Sequence, residues 1–365
     1  MKIVKTEIYR FSIAMEPFEI ATGTMNFAQN IFIRVYTDEG FYGVGECSAF
    51  PMITGEMQNT CITLAKDFAL LWKGKDPLEI ASRLQELDFY IAYNTTIKSA
   101  FDMALFDISA KAEAKPLYQL LNGTKRKIKT DITIGLSSAT DMATKALRLK
   151  NQGAEILKIK LGKNPKEDIE RIKAIRNAIG SEIPLRIDAN QGWTYDEAVV
   201  VLQSLESQNI EFCEQPMHVH YDDLLPALKI LSPIPIMADE SCCNHHDARK
   251  LIKSNSCDYI NIKLAKSGGI AEALKIHETA SNAGIACMIG GMLESRIALS
   301  AKVHLAYACP NIHFFDLDTC LLGHLEDPAT GGVEYNGFLL EIPDAPGIGV
   351  DADEAFLKQC DKWII

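Results

Sequence analysis

Glu155-Ile156-Leu157-Lys158-Ile159-Lys160-Leu161-Gly162 decides the fold. Apolar residues alternate with two lysines, which is the period of a strand, and a glycine ends the run. Short apolar, β-branched runs of this kind recur at residues 128–134, 156–161, 183–187, 210–213, 234–238, 258–262, 285–289 and 312–315. Helical patterns lie between them. Asn164-Pro165 reads as a cap and first-turn proline ahead of Ile169, Ile172, Ile175 and Ile179 on one face, with Gly180 as the stop. Thr194-Tyr195-Asp196-Glu197 reads as a capping box, and Gly284 closes a helix over 269–283. Eight strand–helix repeats, spaced by roughly 25 residues, predict an α/β chain closed into a (β/α)8 barrel rather than an open doubly wound sheet.

Outward from these repeats the pattern changes. Residues 1–125 carry strand-like segments at 3–13, 31–37 and 41–46, with a turn at Asp38-Glu39-Gly40, then helical patterns at 58–72, 77–90 and 94–113. They predict an α+β capping lobe ahead of a barrel spanning 126–330. The tail, 331–365, breaks the rhythm with Pro343, Pro346, Gly347 and Gly349, and is expected to return to the first lobe. A composition of 47% apolar and 23% charged residues excludes a disordered chain, a collagen and a coiled coil. The net charge of −11 repels phosphate backbones and anionic lipid, so neither nucleic acid nor membrane is an expected partner. No apolar run nears the ~18 residues of a membrane span. Met1-Lys2-Ile3-Val4-Lys5-Thr6-Glu7 does not read as a signal peptide. The cysteines form no CxxC pair, and Cys242-Cys243 is vicinal, so reduced thiols in a cytoplasmic protein are expected. A homo-oligomer is the expected assembly.

In such a barrel the reacting groups stand at the carboxyl ends of strands. Lys158 and Lys160 share one face of strand two while Leu157, Ile159 and Leu161 take the other, so both ammonium groups are expected in the barrel mouth. Crowded and partly desolvated, they should lower each other's pKa and make a base of one of them. Taken alone, the pair also reads as surface lysines at a fraying strand end. Asp188, Glu214 and Asp239 end strands three, four and five. Any one of them reads equally well as a helix cap, but three in succession converge and would repel without a cation among them. Oxygen-only ligands indicate a hard ion, Mg2+ before Zn2+, one per subunit and open to a substrate carboxylate. Lys263 ends strand six, four strands from strand two in a ring of eight, so Lys160 and Lys263 are expected to face each other across the mouth. One lysine would take an α-proton and the other return a proton to the opposite face, through an enediolate, giving racemisation or epimerisation. Lys266, three residues on, competes for the second role.

The segments Leu157-Lys158-Ile159-Lys160, Ile187-Asp188-Ala189-Asn190-Gln191-Gly192-Trp193, Cys213-Glu214-Gln215-Pro216, Ala238-Asp239-Glu240-Ser241 and Asn261-Ile262-Lys263 together resemble the enolase superfamily, in its muconate-lactonising subgroup, over essentially the whole chain. The resemblance implies a modified, enolase-like (β/α)8 barrel with an N-terminal α+β capping domain. It also implies Mg2+ on Asp188, Glu214 and Asp239, acid/base lysines at Lys160 and Lys263, and Lys158 as an electrostatic helper. Asp316-Leu317-Asp318, ending strand eight, resembles the Asp-x-Asp of the subgroup's dipeptide epimerases, which binds the substrate's α-ammonium. Set across the barrel from Glu214, at a dipeptide's distance from the metal, two carboxylates suit a cation and disfavour dicarboxylate substrates. A loop turn or helix cap is the plainer reading of the same residues.

A dipeptide epimerised at its C-terminal residue is therefore the expected substrate. Within the subgroup the alternatives are N-acylamino acid racemase, o-succinylbenzoate synthase and muconate cycloisomerase. Outside it they are a non-catalytic barrel and a Schiff-base lysine aldolase. The C-terminal side chain is expected to meet capping loops near 16–25 and 48–56. Alanine-glutamate epimerases of the family carry cationic residues in the first of these, whereas Pro17-Phe18-Glu19-Ile20-Ala21-Thr22-Gly23-Thr24-Met25 has none and has Glu19. An apolar or aromatic side chain, or a cationic one, fits better. Glu19, Gly23, Met25, Phe50 and Ile53 are the candidate contacts, with Phe18, Ile20 and Met52 beside them. His218-x-His220 and His245-His246 lack further zinc ligands at useful spacing, and no Walker loop or Gly-x-Ser-x-Gly occurs.

Overall fold

The computed structural model describes residues 1–365. All eight predicted barrel strands form and pair in parallel, in sequence order: Ile132–Ile134, Leu157–Lys160, Leu185–Asp188, Ile210–Glu214, Ile236–Ala238, Tyr259–Ile262, Ala286–Gly290 and Ile312–Asp316, strands one to eight. Strand eight meets strand one where the Asp131 N–H donates to the Phe315 carbonyl at 3.1 Å and the Leu317 N–H to Thr130 Oγ1 at 2.8 Å. In strand two, Leu157, Ile159 and Leu161 are wholly buried in the core that also holds Ile172 and Ile175 of the following helix. The alternate residues turn inward. Below them the barrel is plugged by Phe212, Met237 and Met288, with the rings of Phe212, Tyr259 and Phe314 packed edge to face. This apolar floor puts the charges above it in a low-dielectric setting.

The N-terminal sheet is antiparallel, in the order Lys362–Ile364, Ile3–Ile20, Gly23–Thr37, Tyr42–Ser48, so the last strand of the chain lies against the first. Helices Gln58–Trp72, Ile80–Tyr90 and Thr95–Ala112 pack on it around Phe68, Trp72 and Phe101. Residues 16–25, read from sequence as a loop, form the tip of a long hairpin in which Phe18 pairs with Met25 and Ile20 with Gly23. Pro17 argues against a strand because proline has no N–H for the ladder. It falls inside a register shift between Ala14 and Phe18, where no ladder bond is needed. The tip is tied to the barrel by the Leu136 N–H, which donates to the Glu19 carbonyl at 2.9 Å.

Two buried carboxylates of the cap hold it on barrel helices. Helix Ile270–Asn282 starts after Gly269, which offers no capping side chain. Asp102 of the cap accepts from the Ile270 N–H at 2.5 Å and the Ala271 N–H at 3.1 Å, meeting the unpaired donors and positive end of that helix. Only glycine fits at 269, where φ is +125° and a Cβ would lie 2.3 Å from Asp102. Glu46 accepts in the same way from the Ser295 and Ala298 N–H groups, each at 2.9 Å, at the head of helix Arg296–Ala308. Asp102→Ala leaves the buried Ile270 N–H without an acceptor. The expected cost is about 1–3 kcal/mol, seen as a lower urea midpoint; an unchanged midpoint would show that Asp102 holds nothing.

Candidate active site

Strand register builds the site. Lys160, Asp188 and Glu214 are consecutive partners across strands two, three and four, so their side chains leave the sheet at one level. Asp239 and Lys263 each follow the last residue of strands five and six, and Gly290 pairs with Asp316 at the ends of seven and eight. A Cβ on Gly290 would lie 2.7 Å from Asn261 Oδ1 and 3.1 Å from Lys263 Cε, so the bare glycine leaves room for that lysine.

Lys158 Nζ lies 2.6 Å from Glu214 Oε2, 2.7 Å from Asp316 Oδ2 and 3.3 Å from Asp188 Oδ2. Lys160 Nζ is 2.6 Å from Asp188 Oδ2, and Lys263 Nζ is 2.7 Å from Asp239 Oδ2 and 3.9 Å from Glu214 Oε1. Asn261 donates to Glu214 Oε1 at 2.7 Å. At Lys158 the pairings reverse the expected titration. Burial lowers the Lys158 pKa, but Asp316, Glu214 and Asp188 outweigh it and hold the amine well above its ordinary value. At Lys263 burial again lowers the pKa, and Asp239 and Glu214 outweigh it and raise the amine above its ordinary value. Counting the lysines alone gives the wrong sign because it omits the carboxylates that the other strands bring.

Asp316 and Glu214 meet through one ammonium, that of Lys158, which touches both. Asp318 Oδ2 accepts from the Thr133 N–H at 2.6 Å, while its Oδ1 is buried with no donor. Burial and the Asp316 charge push Asp318 up to about 7. Asp131, Asp316 and Asp318 have oxygens within 4.8 Å of one another, and Arg186 pairs with Asp131 at 2.8 Å. The sequence reading passes over Asp131 and Arg186. Arg186 nonetheless carries the signal that marks Lys158, a charged residue on the inward face of an otherwise apolar strand, two before Asp188.

Asp188, Glu214 and Asp239 are linked through Lys158 and Lys263, each of which touches Glu214 and one of the others. Burial and the Asp188 charge push Glu214 up to about 7, and burial and the Asp239 charge push Glu240 up to about 8. Glu240 Oε2 and Asn190 Oδ1, next in sequence to Asp239 and two residues from Asp188, are buried without a donor. An all-oxygen set whose carboxylates raise one another's pKa, and which includes buried oxygens without a donor, fits a hard divalent cation.

The capping residues divide. Gly23 meets the 48–56 segment, where a Cβ would lie 3.2 Å from Met52 Sδ. Met25 and Phe50, with Phe27, Met52 and Leu293, line a cavity of about 270 Å³. Ile53 does not line it and is partly buried against the main core. Leu293, on the loop after strand seven, was not among the candidates; its only signal is its place after Gly290-Gly291. Glu19 pairs with Lys163 of the barrel, so its carboxylate serves the cap–barrel junction. Phe18 lines a different cavity, beside Ile134 and Leu136 at the end of strand one.

Lysines on opposite walls of a (β/α)8 barrel, over gathered carboxylates and under an α+β cap, define an enolase-like protein. Residues 4–122 match the mandelate racemase / muconate lactonizing enzyme N-terminal domain, and residues 141–356 match the enolase C-terminal domain-like family. The chain belongs to this family of mandelate racemase and muconate lactonizing enzymes. The crystal structure of the dipeptide epimerase from Cytophaga hutchinsonii, complexed with Mg and D-Ala-L-Val, is similar with a TM-score of 0.98 at 39% identity, over 100% of both chains. That of the Enterococcus faecalis dipeptide epimerase, complexed with Mg and L-Leu-L-Tyr, gives 0.93 at 40% identity, over 96% of this chain and 100% of that one. The N-succinyl Arg/Lys racemase of Bacillus cereus gives 0.96 at 31% identity, over 100% of both.

Proposed function

We propose that the protein is a Mg2+-dependent isomerase, a dipeptide epimerase that inverts the α-carbon of the C-terminal residue by two-base proton transfer. The observation that carries this reading is the placement of Lys160 and Lys263. They belong to strands two and six, four places apart in the ring of eight, with buried Nζ atoms seated on Asp188 and Asp239. An α-carbon between them presents one face to each amine; a divalent ion on Asp188 and Asp239 would take up the carboxylate charge that holds the amines protonated, so that one can remove a proton and the other return one. Held by Asp188, Glu214 and Asp239, Mg2+ would neutralise the charge that a substrate carboxylate gathers as the α-proton leaves. Lys158 keeps a fixed positive charge between Glu214 and Asp316. Asp316 and Asp318 receive the α-ammonium.

Charge favours a dipeptide over an N-acylated amino acid. The mouth holds seven buried carboxylates, Asp131, Asp188, Glu214, Asp239, Glu240, Asp316 and Asp318, against five buried cations, Lys158, Lys160, Arg186, Lys263 and Lys266. Carboxylates outnumber cations there, and those held above their ordinary pKa by burial and one another's charge favour a divalent ion and a substrate that brings a positive charge of its own. An N-acylated substrate has no ammonium to offset its carboxylate. Met25, Phe27, Phe50, Met52 and Leu293 on the wall of the 270 Å³ cavity suit an apolar or aromatic C-terminal side chain. No helix is long and apolar enough to cross a membrane, and all ten cysteines are free thiols, which fits a cytoplasmic location. Incubating a dipeptide library in D2O with Mg2+ is expected to place deuterium at the C-terminal α-carbon, most in peptides ending in apolar or aromatic residues. Unlabelled dipeptides alongside labelled N-acylamino acids would reject the assignment.

A further inference from the structure

We infer that Lys266 is a positioning residue that orients Asp239 for the metal and for Lys263 without touching substrate; the inference rests on the metal reading proposed above. Lys266 lies in the single turn Leu264–Ser267, directly after Lys263, and is 1% exposed. Its Nζ donates to the carbonyls of Asp239 at 2.5 Å, Cys242 at 2.7 Å and Asn261 at 2.7 Å, and lies 3.0 Å from Asp239 Oδ1. An ammonium has three hydrogens and no lone pair, so the three carbonyls use all of them. As a neutral amine it would turn a lone pair toward buried carbonyl oxygens, an arrangement that burial penalises. Its place three residues after Lys263 therefore does not make it a second base.

What Lys266 fastens is the scaffold of the carboxylate cluster. Its acceptors belong to the end of strand five, the turn after it, and strand six. Asn261, whose carbonyl it holds, donates its side-chain N–H to Glu214 Oε1 at 2.7 Å. One buried cation thus ties down the backbone beneath Asp239 and beneath the residue that orients Glu214. The two oxygens of Asp239 differ: Oδ2 accepts from Lys263 at 2.7 Å, while Oδ1 accepts no hydrogen bond and meets only the charge of Lys266 at 3.0 Å. Gln215 also reaches Asp239, but it accepts from the backbone N–H at 3.0 Å and leaves the carboxylate free to turn. Without Lys266 the backbone beneath Asp239 loses its tie to strand six and Oδ1 loses the charge facing it, so the carboxylate can turn about its bond to Lys263.

The test is calorimetric titration of Mg2+ into the parent, Lys266→Met and Lys266→Gln, with melting curves of each. Expected is a folded Met variant whose Mg2+ dissociation constant rises about 10–100-fold, the range for residues that orient metal ligands. The Gln variant, which keeps two hydrogens for the carbonyls, should fall between it and the parent. A purely structural role would lower the melting temperature and leave the Mg2+ affinity of the folded protein unchanged. That outcome in either variant overturns the inference, as does failure of both variants to fold. A parent that binds no Mg2+ would overturn the metal reading itself, and this inference with it.

Discussion

Lys160→Ala and Lys263→Ala are each expected to lower epimerisation by at least about 10³-fold, since a positioned acid or base contributes roughly 10²–10⁴ and inversion needs both. The informative readout is deuterium exchange from each epimer separately. Lys160 and Lys263 stand on opposite walls of the barrel, so each faces one side of the α-carbon. With Lys160 removed, the epimer whose α-hydrogen faces Lys263 should still exchange with D2O, while the other should not. With Lys263 removed, the pattern should reverse. Both variants should keep Mg2+ binding, because Asp188, Glu214 and Asp239 remain and Lys266 still holds the backbone beneath Asp239 and Asn261. Normal turnover in both directions by either variant would dismiss the two-base scheme. Symmetric loss of exchange in both variants would mean that the lysines support the site without handling protons.

Alternation along strands made much of this legible before any coordinates. It told which face Lys158 and Lys160 share, and the repeat count placed strand six opposite strand two. Alternation says nothing about how far a side chain reaches. Lys158 bridges Glu214 and Asp316 because a long, flexible ammonium is drawn to every carboxylate within its length, a contact that strand order alone does not display. The direction of the lysine pKa shifts depends on neighbours from four other strands, which no single segment displays. Arg186 and Asp131 were legible by the rule applied to strand two and were overlooked. The hairpin over 16–25 was hidden by Pro17, and the contact of Leu293 with the capping segments depends on the docking of one lobe on the other. Asp102 and Glu46 show the same limit, since each caps a helix more than 150 residues away in sequence.

Asp318→Asn is expected to lower kcat/KM for a free dipeptide by about 10–150-fold, the equivalent of a charge-assisted hydrogen bond worth roughly 1.5–3 kcal/mol. Asp318 is the sharper probe of the two strand-eight carboxylates because its oxygens have separate duties. Oδ2 is held by the Thr133 N–H at 2.6 Å, and Oδ1 is buried without a donor. Asp316 already has Lys158 on Oδ2, so its loss would disturb the lysine as well as the substrate. Asparagine keeps the shape and can still accept from Thr133 through its carbonyl oxygen, which turns its NH2 toward the position where an ammonium would lie. The variant then meets the substrate's positive charge with donors instead of an acceptor. N-acetylation of the dipeptide removes that charge, so the penalty for acetylation, large in the parent, should shrink in Asp318→Asn by a similar factor. The comparison separates this role from a general loss of structure, because a misfolded loop would slow both substrates alike. An acetylation penalty that is the same in parent and variant would remove Asp318 from substrate recognition and, with it, the charge argument for a dipeptide.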